Sequence, residues 1–105
     1  MEKAETIREK SKAFAIRIIN LYKYLTSEKK EFVMSKQILK SGTSIGANAR
    51  EADHGESPAD FVHKLSISQK ECGETLYWLE LLVATGFITE SEFYSLLKML
   101  MKFTG

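Results

Sequence analysis

The chain has 105 residues, of which 44% are hydrophobic and 28% charged, and its formal net charge at pH 7 is +1. This length favours a single domain, and the composition is ordinary for a soluble globular protein. The longest apolar run is far shorter than the roughly 20 residues of a membrane-spanning helix, and the first residues carry no apolar leader, so we expect a cytoplasmic protein without membrane contact. The single cysteine, Cys72, excludes an internal disulfide, which agrees with a reducing compartment.

The near-neutral total hides a separation of charge along the chain. Residues 1–50 carry eleven Lys and Arg against five Asp and Glu, residues 51–89 carry two against seven, and residues 90–105 balance. Such a split favours either a polyanion bound along one face or copies of the chain that meet basic side to acidic side.

Apolar residues recur at helical spacing in four segments. The first stripe runs from Ile7 to Leu25 at alternating steps of four and three, and the second contains the small residues Gly42 and Ala49. Ser35 is predicted to cap the second helix. The predicted helices span about 3–25, 35–54, 58–85 and 90–103.

Capping and turn residues separate these segments. Ser57 followed by Pro58 is a helix start signal, and Gly86 is a predicted left-handed terminator. Thr89 and Glu92 have the spacing of a capping box. Because the connections are short, neighbouring helices are expected to run antiparallel. The sequence therefore predicts an all-α fold, an antiparallel up-down-up-down four-helix bundle, in one domain over residues 1–105.

The third helix is apolar on more than one face. Its inward seam includes Val62 and Leu65, and further apolar residues lie around its other side; the first helix repeats this pattern more weakly. A helix with two apolar faces is normally covered on both, which predicts self-association through helices 1 and 3. The candidate interface residues are Ile16, Ile19, Tyr77, Trp78 and Leu81.

The basic residues of the first half are candidates for binding a polyanion. Cations that share a helix face bind nucleic acid because they displace its condensed counterions. Lys3, Lys10 and Arg17 share one line by heptad spacing. A solvated helix face, or a contact with the acidic segment of another copy, has a similar composition, and these interpretations stay open. The candidate nucleic-acid-binding residues are Lys3, Arg8, Lys10, Lys12, Arg17, Lys36 and Lys40.

A polar line on helix 2 faces a matching line on helix 3. The tight turn between the helices predicts that Glu51 lies near Lys64, and likewise Asn48 near Ser68. Two interpretations are open: an acid/base site built on Glu51 and Glu71, or a buried hydrogen-bonded set that fixes helix register. No nucleophile with an adjacent base stands in the line, so we predict no catalytic residue. The predicted buried polar set is Ser44, Asn48, Glu51, Lys64, Ser68 and Glu71.

The two histidines, His54 and His63, do not have the spacing of metal ligands. Neither has a His or Cys partner at i, i+3 or i, i+4, which is the spacing that a metal site on a helix favours. We therefore predict surface histidines at a helix junction, with no metal, no cofactor and no enzymatic activity.

Two stretches resemble a known family. Residues 37–52, QILKSGTSIGANAREA, are similar to the pattern Q-x-x-R-x-x-x-S-I-x-x-N-x-x-E-x of the bacterial 23S rRNA-intervening sequence proteins, S23-type four-helix-bundle proteins. Residues 61–88 match that family in hydrophobic order, up to the closing Gly-Phe-Ile. Lys40 stands where the family usually has Arg, and residues 53–55 lengthen its usual acid-Gly ending.

The resemblance implies a four-helix bundle that assembles into a ring, typically a homopentamer. Some relatives, the accessory variability proteins encoded with retroelements, are basic and bind nucleic acid and a reverse transcriptase, whereas most members have no established activity. We therefore expect a non-enzymatic, ring-forming bundle that contacts RNA, DNA or a nucleoprotein partner. The alternative is a purely structural or protein-binding homo-oligomer without nucleic-acid contact.

Overall fold

All regular structure that the computed structural model describes, over residues 6–103, is helical. The prediction of an all-α fold with four α-helices is confirmed. The first helix begins at Ile7 rather than near residue 3, because Thr6 is its N-cap. The helices are α1 (Ile7–Ser27), α2 (Met34–Asp53), α3 (Pro58–Ala84) and α4 (Glu90–Leu100), and a 3₁₀ turn (Met101–Phe103) follows α4.

Local capping signals define three of the four helix starts. Capping boxes open α1, through Thr6 and Glu9, and α4, through Thr89 and Glu92. At α3 the Ser57 hydroxyl accepts a backbone hydrogen bond from the first turn. Gly86 follows α3 with a φ of 80°, a left-handed conformation that glycine adopts without steric cost. The signals predicted at Ser57, Gly86 and Thr89 are therefore confirmed.

The start of α2 differs from the prediction that Ser35 caps it. The N-cap is Val33, which offers no side-chain hydrogen bond, and Ser35 lies inside the helix. The Glu31 carboxylate satisfies the first turn instead. Its Oε2 accepts hydrogen bonds from the N–H groups of Val33 and Met34, at 3.2 and 3.1 Å, and its Oε1 accepts one from Ser35 at 2.7 Å. An anion at this end of a helix meets unpaired N–H groups and the positive end of the helix dipole.

Small side chains let α2 approach α1 closely. A Cβ on Gly42 would lie 2.9 Å from Ile18 Cγ1, and a Cβ on Gly46 would lie 3.0 Å from Ser11 Oγ. Because the residue numbers rise along α2 as they fall along α1, the two helices are antiparallel. The predicted close approach of α2 to its neighbour is therefore present, and it involves α1.

The core lies between the four helices. Edge-to-face packing of Phe14 on Phe103, with ring centroids 5.8 Å apart, joins α1 to the 3₁₀ turn. Closer to the other end of α1, Arg17 Nη1 donates to Ser95 Oγ at 2.7 Å, so α4 runs antiparallel to α1. The buried apolar side chains are Phe14, Ile18, Leu25, Ile38, Ile45, Ala52, Cys72, Leu79, Leu82, Ile88, Leu96, Leu100 and Phe103.

One end of the bundle is not covered by α4. Ile7, Val62 and Leu65 belong to inward stripes in the sequence, yet they are 50%, 60% and 37% exposed. At about 1.5 Å per residue, the 11 residues of α4 span roughly 16 Å, whereas the 27 residues of α3 span roughly 40 Å. The prediction that these three side chains join the core is wrong, because α4 and the 3₁₀ turn end before reaching them.

Candidate nucleic-acid interface

The outer surface of α1 and α2 carries exposed cations. Those of α2 fall at alternating steps of four and three with Thr43 and Ala47 between them, so they share one helical stripe. Two cations of α1 lie beside α2 residues in shared depressions. We call this surface the α1–α2 face; its cations are Arg8, Lys12, Lys36, Lys40 and Arg50.

A shallow groove runs between α1 and α2 on this face. Its lining contains the small residues Ala15, Gly46 and Ala47, together with Lys12 and Arg50. Since no bulky side chain fills the groove, a phosphate backbone has room to approach the helices between two cations. Arg50 is not among the predicted binding residues, although its spacing from the α2 lysines places it on their stripe.

Among residues 6–103, the cations of the α1–α2 face form no close ion pair, although Asp53 shares a depression with Arg8 and Arg50. Over residues 6–103 the one ion pair within 4 Å joins Lys64 to Glu51, away from this face. Burial and a neighbouring carboxylate raise the pKa of Glu71 on α3, and Lys40 is one of two lysines that oppose the rise. Lys40 is therefore close enough to α3 for its charge to act on Glu71, although it is exposed and forms no ion pair within 4 Å among residues 6–103.

Two of the predicted cations do not join this face. Arg17 Nη1 donates to Ser95 Oγ and, at 3.3 Å, to Met99 Sδ, so its guanidinium lies against α4. Lys10 lines a depression between α1 and the C-terminal residues. Lys3 lies outside the described residues. Heptad spacing correctly puts Lys10 and Arg17 on one side of α1, and this is the side that faces α4 rather than α2.

The candidate interface residues lie on α1 and α3. Ile16, Ile19 and Tyr77 are each more than a third exposed, whereas Trp78 and Leu81 are partly buried. The rings of Tyr77 and Trp78 meet edge to face with centroids 5.2 Å apart, and Trp78 packs against the core. Within one subunit, Tyr77 is thus an exposed aromatic residue in the C-terminal half of α3, and Trp78 helps to hold α3 in place.

Glu51 and Lys64 form the ion pair that the sequence predicts. Lys64 Nζ lies 2.8 Å from Glu51 Oε2, and the hydrogen bond to Glu51 is the main cause of a raised pKa of Lys64. The side chain of Glu51 is 58% exposed, and that of Lys64 is 30% exposed. The prediction that this pair is buried is therefore wrong, because both side chains reach solvent near the end of α2.

Asn48 and Ser68 bond to the backbone rather than to each other. Ser68 Oγ is buried and donates to the Ile45 carbonyl at 2.9 Å, which ties α3 to α2. Asn48 Nδ2 donates to the Ser44 carbonyl at 2.9 Å, and Ser44 Oγ donates to the Lys40 carbonyl at 2.6 Å. The prediction of one connected buried set is wrong, because the polar side chains of α2 pair with carbonyls of their own helix.

A different pair of buried hydroxyls joins α2 to α3. Thr75 Oγ1 lies 2.9 Å from Ser41 Oγ and 2.8 Å from the Glu71 carbonyl, and both hydroxyls are shielded from solvent. This contact was not predicted from the sequence. The available signal was a small hydroxyl residue beside each inward stripe: Ser41 is next to Gly42, and Thr75 comes three residues after Cys72. In the described part of the chain, no buried side-chain nitrogen or oxygen lacks a hydrogen-bond partner.

Neither a membrane-spanning helix nor a cluster of metal ligands is found between residues 6 and 103. No helix in that range is long and apolar enough to cross a membrane. No cluster there of three or more His, Cys, Asp or Glu side chains is placed to hold a metal ion.

The fold and this surface define an all-α protein of four helices, in which small residues bring α1 and α2 together beneath a set of exposed cations. The sequence profile of the 23S rRNA-intervening sequence proteins matches residues 3–104. The match spans nearly the whole chain, so the protein belongs to this family, and the resemblance of residues 37–52 and 61–88 is confirmed.

A solved structure agrees with this assignment. The chain is similar, with 55% sequence identity and a TM-score of 0.93, to a crystal structure of a protein of unknown function from the S23 ribosomal protein family of Bacteroides thetaiotaomicron. The similarity covers 94% of this chain and 92% of that chain. No curated protein matches the chain. Neither the family description nor this neighbour names a catalytic activity.

Proposed function

We propose that the protein is a non-enzymatic, ring-forming helical bundle whose α1–α2 face binds the phosphate backbone of RNA or DNA. The observation that carries this proposal is the groove of small residues that Lys12 and Arg50 line. Exposed cations bind nucleic acid by displacing condensed counterions, and contacts of this kind need no base-specific pocket. The family description, which refers to 23S rRNA intervening sequences, makes RNA the first ligand to test.

The lack of close ion pairs supports binding over a merely solvated surface. Among residues 6–103, no carboxylate lies within 4 Å of the charged groups of Arg8, Lys12 and Arg50. Cations that outnumber the carboxylates on a shared face create a positive potential, which attracts a polyanion and speeds its encounter with the protein. Lys36, which is exposed in the first turn of α2, extends the same surface toward the start of that helix.

The two carboxylates considered for catalysis fit a non-enzymatic role better. Glu51 is paired with Lys64 and exposed, and neither Glu51 nor Glu71 lines the α1–α2 groove. A general acid or base acts on a substrate held within hydrogen-bond reach, commonly in a concave pocket. Glu71 is partly buried, and its backbone carbonyl accepts a hydrogen bond from Thr75 of the same helix.

Ring assembly in this proposal depends on two different exposed patches. Ile16 and Ile19 provide one on α1, and Tyr77 provides the centre of the other on the acidic helix α3. A contact between unlike patches is heterologous, and it closes into a ring when the rotation between copies allows. The homopentamer that the family resemblance implies is the stoichiometry to test.

The proposed subunit contact borders the proposed nucleic-acid surface. Ile19 follows Lys12 by seven residues, so the two lie on the same side of α1. A neighbouring subunit seated on Ile19 would therefore approach Lys12, whereas Arg50 lies across the groove on α2. Nucleic-acid binding by the assembled ring thus depends most on Arg50 and the exposed Lys36.

The test of nucleic-acid binding compares two double variants with the same change in charge. Lys36→Glu with Arg50→Glu alters the α1–α2 face, whereas Lys70→Glu with Lys98→Glu alters exposed lysines on α3 and α4. Fluorescence anisotropy with a single-stranded RNA and a duplex, at several salt concentrations, measures binding. Losing two phosphate contacts should lower the salt slope on single strands by about 1.4. No binding at low salt, a flat salt dependence, or an equal loss in both variants would overturn the proposal.

A purely structural homo-oligomer is the second candidate, and the exposure of Tyr77 favours it. Light scattering on the eluted protein measures the subunit number, with Tyr77→Glu as the test variant and Tyr94→Glu, an exposed tyrosine on α4, as the control. A ring through α3 should dissociate with Tyr77→Glu alone. A wild-type monomer contradicts both candidates, and an intact ring that binds no nucleic acid supports the second.

A further inference from the structure

A second groove lies at the end of the bundle that α4 leaves uncovered. Two adjoining depressions both include Ile7, Ala49 and Leu65, so they form one continuous groove between α1 and α3 with α2 beneath. Phe61 lines one end, and Phe103, the last residue of the 3₁₀ turn, lines the other. We call this feature the end groove.

The lining of the end groove continues the core-facing stripes of α1 and α3. Ile7 lies seven residues before Phe14, which is buried, and Leu65 lies seven residues before the buried Cys72. Ile7 and Leu65 nevertheless remain 50% and 37% exposed, and Phe61 is 41% exposed. Large apolar side chains that point inward but meet no fourth helix leave an apolar surface of the kind that marks an interaction site.

Positive charge predominates around the end groove. Among residues 6–103, its lining contains three cations, Arg8, Arg50 and Lys102, but only one carboxylate, that of Asp53. None of these four side chains forms an ion pair with another within 4 Å. An occupant that complements this groove therefore places apolar side chains against its lining and carboxylates along its edges. A nucleic acid would match the cations but would leave Ile7, Phe61 and Leu65 facing sugar and phosphate.

We propose that the end groove binds an acidic amphipathic helix of a partner protein, in the position beside α1 and α3 that α4 does not reach. The difference between the lengths of α3 and α4 leaves room for about three helical turns. Helices that dock in grooves of this kind place apolar side chains at i, i+3, i+4 and i+7. None of the candidate ring residues lines the end groove, so it is separate from the proposed subunit contact.

The test uses a fluorescein-labelled designed peptide of about three turns, with a leucine stripe on one face and glutamates on the other. Its matched control has lysines in place of the glutamates. The acidic peptide should bind the full chain, and the basic peptide should bind at least about tenfold more weakly. Leu65→Glu should weaken binding of the acidic peptide by about tenfold or more, because it removes apolar contact and adds a like charge.

Ser66→Glu is the matched control variant, because Ser66 is exposed on the same helix, next to Leu65, but does not line the end groove. It should bind the acidic peptide like the wild type, and the circular dichroism of both variants verifies that they fold. Failure of the acidic peptide to bind, or equal effects of the two variants, would overturn the proposal. So would dissociation of an oligomer by Leu65→Glu, which would make a second copy the occupant. A loss of single-stranded RNA binding by Leu65→Glu as large as the loss of peptide binding would also overturn it, because nucleic acid would then be the occupant. Much tighter peptide binding after deletion of residues 1–5 would also overturn it, since the groove would then be covered by the chain itself.

Discussion

Gly42 on α2 lies so close to Ile18 on α1 that one added methyl group would meet Ile18 Cγ1 at 2.9 Å and Cγ2 at 3.0 Å. Ile18 is fully buried and β-branched, so it has no free rotamer into which it can move. Overpacking at such a position typically costs about 1–3 kcal/mol, which exceeds the gain of about 1 kcal/mol in helix propensity. Gly42→Ala should therefore lower the free energy of unfolding, measured by urea denaturation.

Gly73 provides the matched control for this substitution. It also lies inside a helix, but a Cβ there would meet nothing within 4 Å. Gly73→Ala should raise the free energy of unfolding by about 0.5–1 kcal/mol, because alanine loses less backbone entropy on folding. Stabilisation by both substitutions would contradict the close contact between α1 and α2.

The buried hydroxyls of Ser41 and Thr75 should show coupled effects on stability. Thr75→Val keeps the shape of the side chain but deprives Ser41 of a partner 2.9 Å away, at an expected cost of about 1–2 kcal/mol in the free energy of unfolding. Replacing both, with Ser41→Ala added, should cost less than the sum of the single changes, because no buried hydroxyl is left unpaired. A double-mutant cycle in urea checks this; strict additivity would mean that the two hydroxyls act independently.

The Glu31 carboxylate should make the stability of α2 depend on pH. Burial alone would raise its pKa, but hydrogen bonds from the backbone of Ser35, Met34 and Val33 together outweigh burial and lower it. The folded state therefore prefers the ionised carboxylate. The resulting stabilisation is complete above the ordinary carboxyl pKa of 4.5 and is lost as the pH falls through the lower folded value.

Glu31→Gln should accordingly lower the free energy of unfolding by about 1 kcal/mol near neutral pH, as the loss of a helix cap does. The difference from the wild type should shrink at a strongly acid pH, because the carboxylate is protonated as the pH falls through its lowered folded pKa. Glu28→Gln is the control, since Glu28 is exposed at the C-terminal end of α1. Urea denaturation at both pH values measures the effect, and a difference that does not vary with pH would contradict the capping role.

Cys72 should be chemically inert while the protein is folded. Burial, with a contribution from Glu71, raises the pKa of its thiol to about 11, and the side chain is 1% exposed. At about pH 8 only about one thiol in a thousand is then ionised, and the thiolate is the reactive form. A disulfide reagent such as DTNB should modify Cys72 in urea but not in buffer. Rapid modification of the native protein would show that α3 opens readily.

The helix starts that the sequence predicted correctly are those set by local chemistry. Ser57 and Thr89 act within one helical turn, and Gly86 needs only its own backbone freedom, so their patterns are visible without the fold. The Glu31 cap was missed because it reaches across the loop before α2 rather than standing at the N-cap position.

The features that the sequence did not predict depend on how far each helix extends along its neighbours. Periodicity places Ile7 and Leu65 on the correct sides of α1 and α3, but it does not show that α4 ends too early to cover them. Similarly, spacing groups Lys10 with Arg17, but only packing shows that α4 lies on their side. The direction of a stripe is a property of one helix, and its burial is a property of the whole bundle.

The shortness of α4 also implies that resistance to opening is distributed unevenly along the molecule. Leu79 and Leu82 of α3 are enclosed on all sides, whereas the first turns of α1 and α3 have neighbours on fewer sides. Backbone amides near Phe61 and Leu65 should therefore exchange with deuterium through local fraying, while those near Leu79 exchange only when the whole protein unfolds. A helix bound in the end groove would make the exchange rates at the two ends of α3 more nearly equal, so the uncovered end would gain order at the moment of binding.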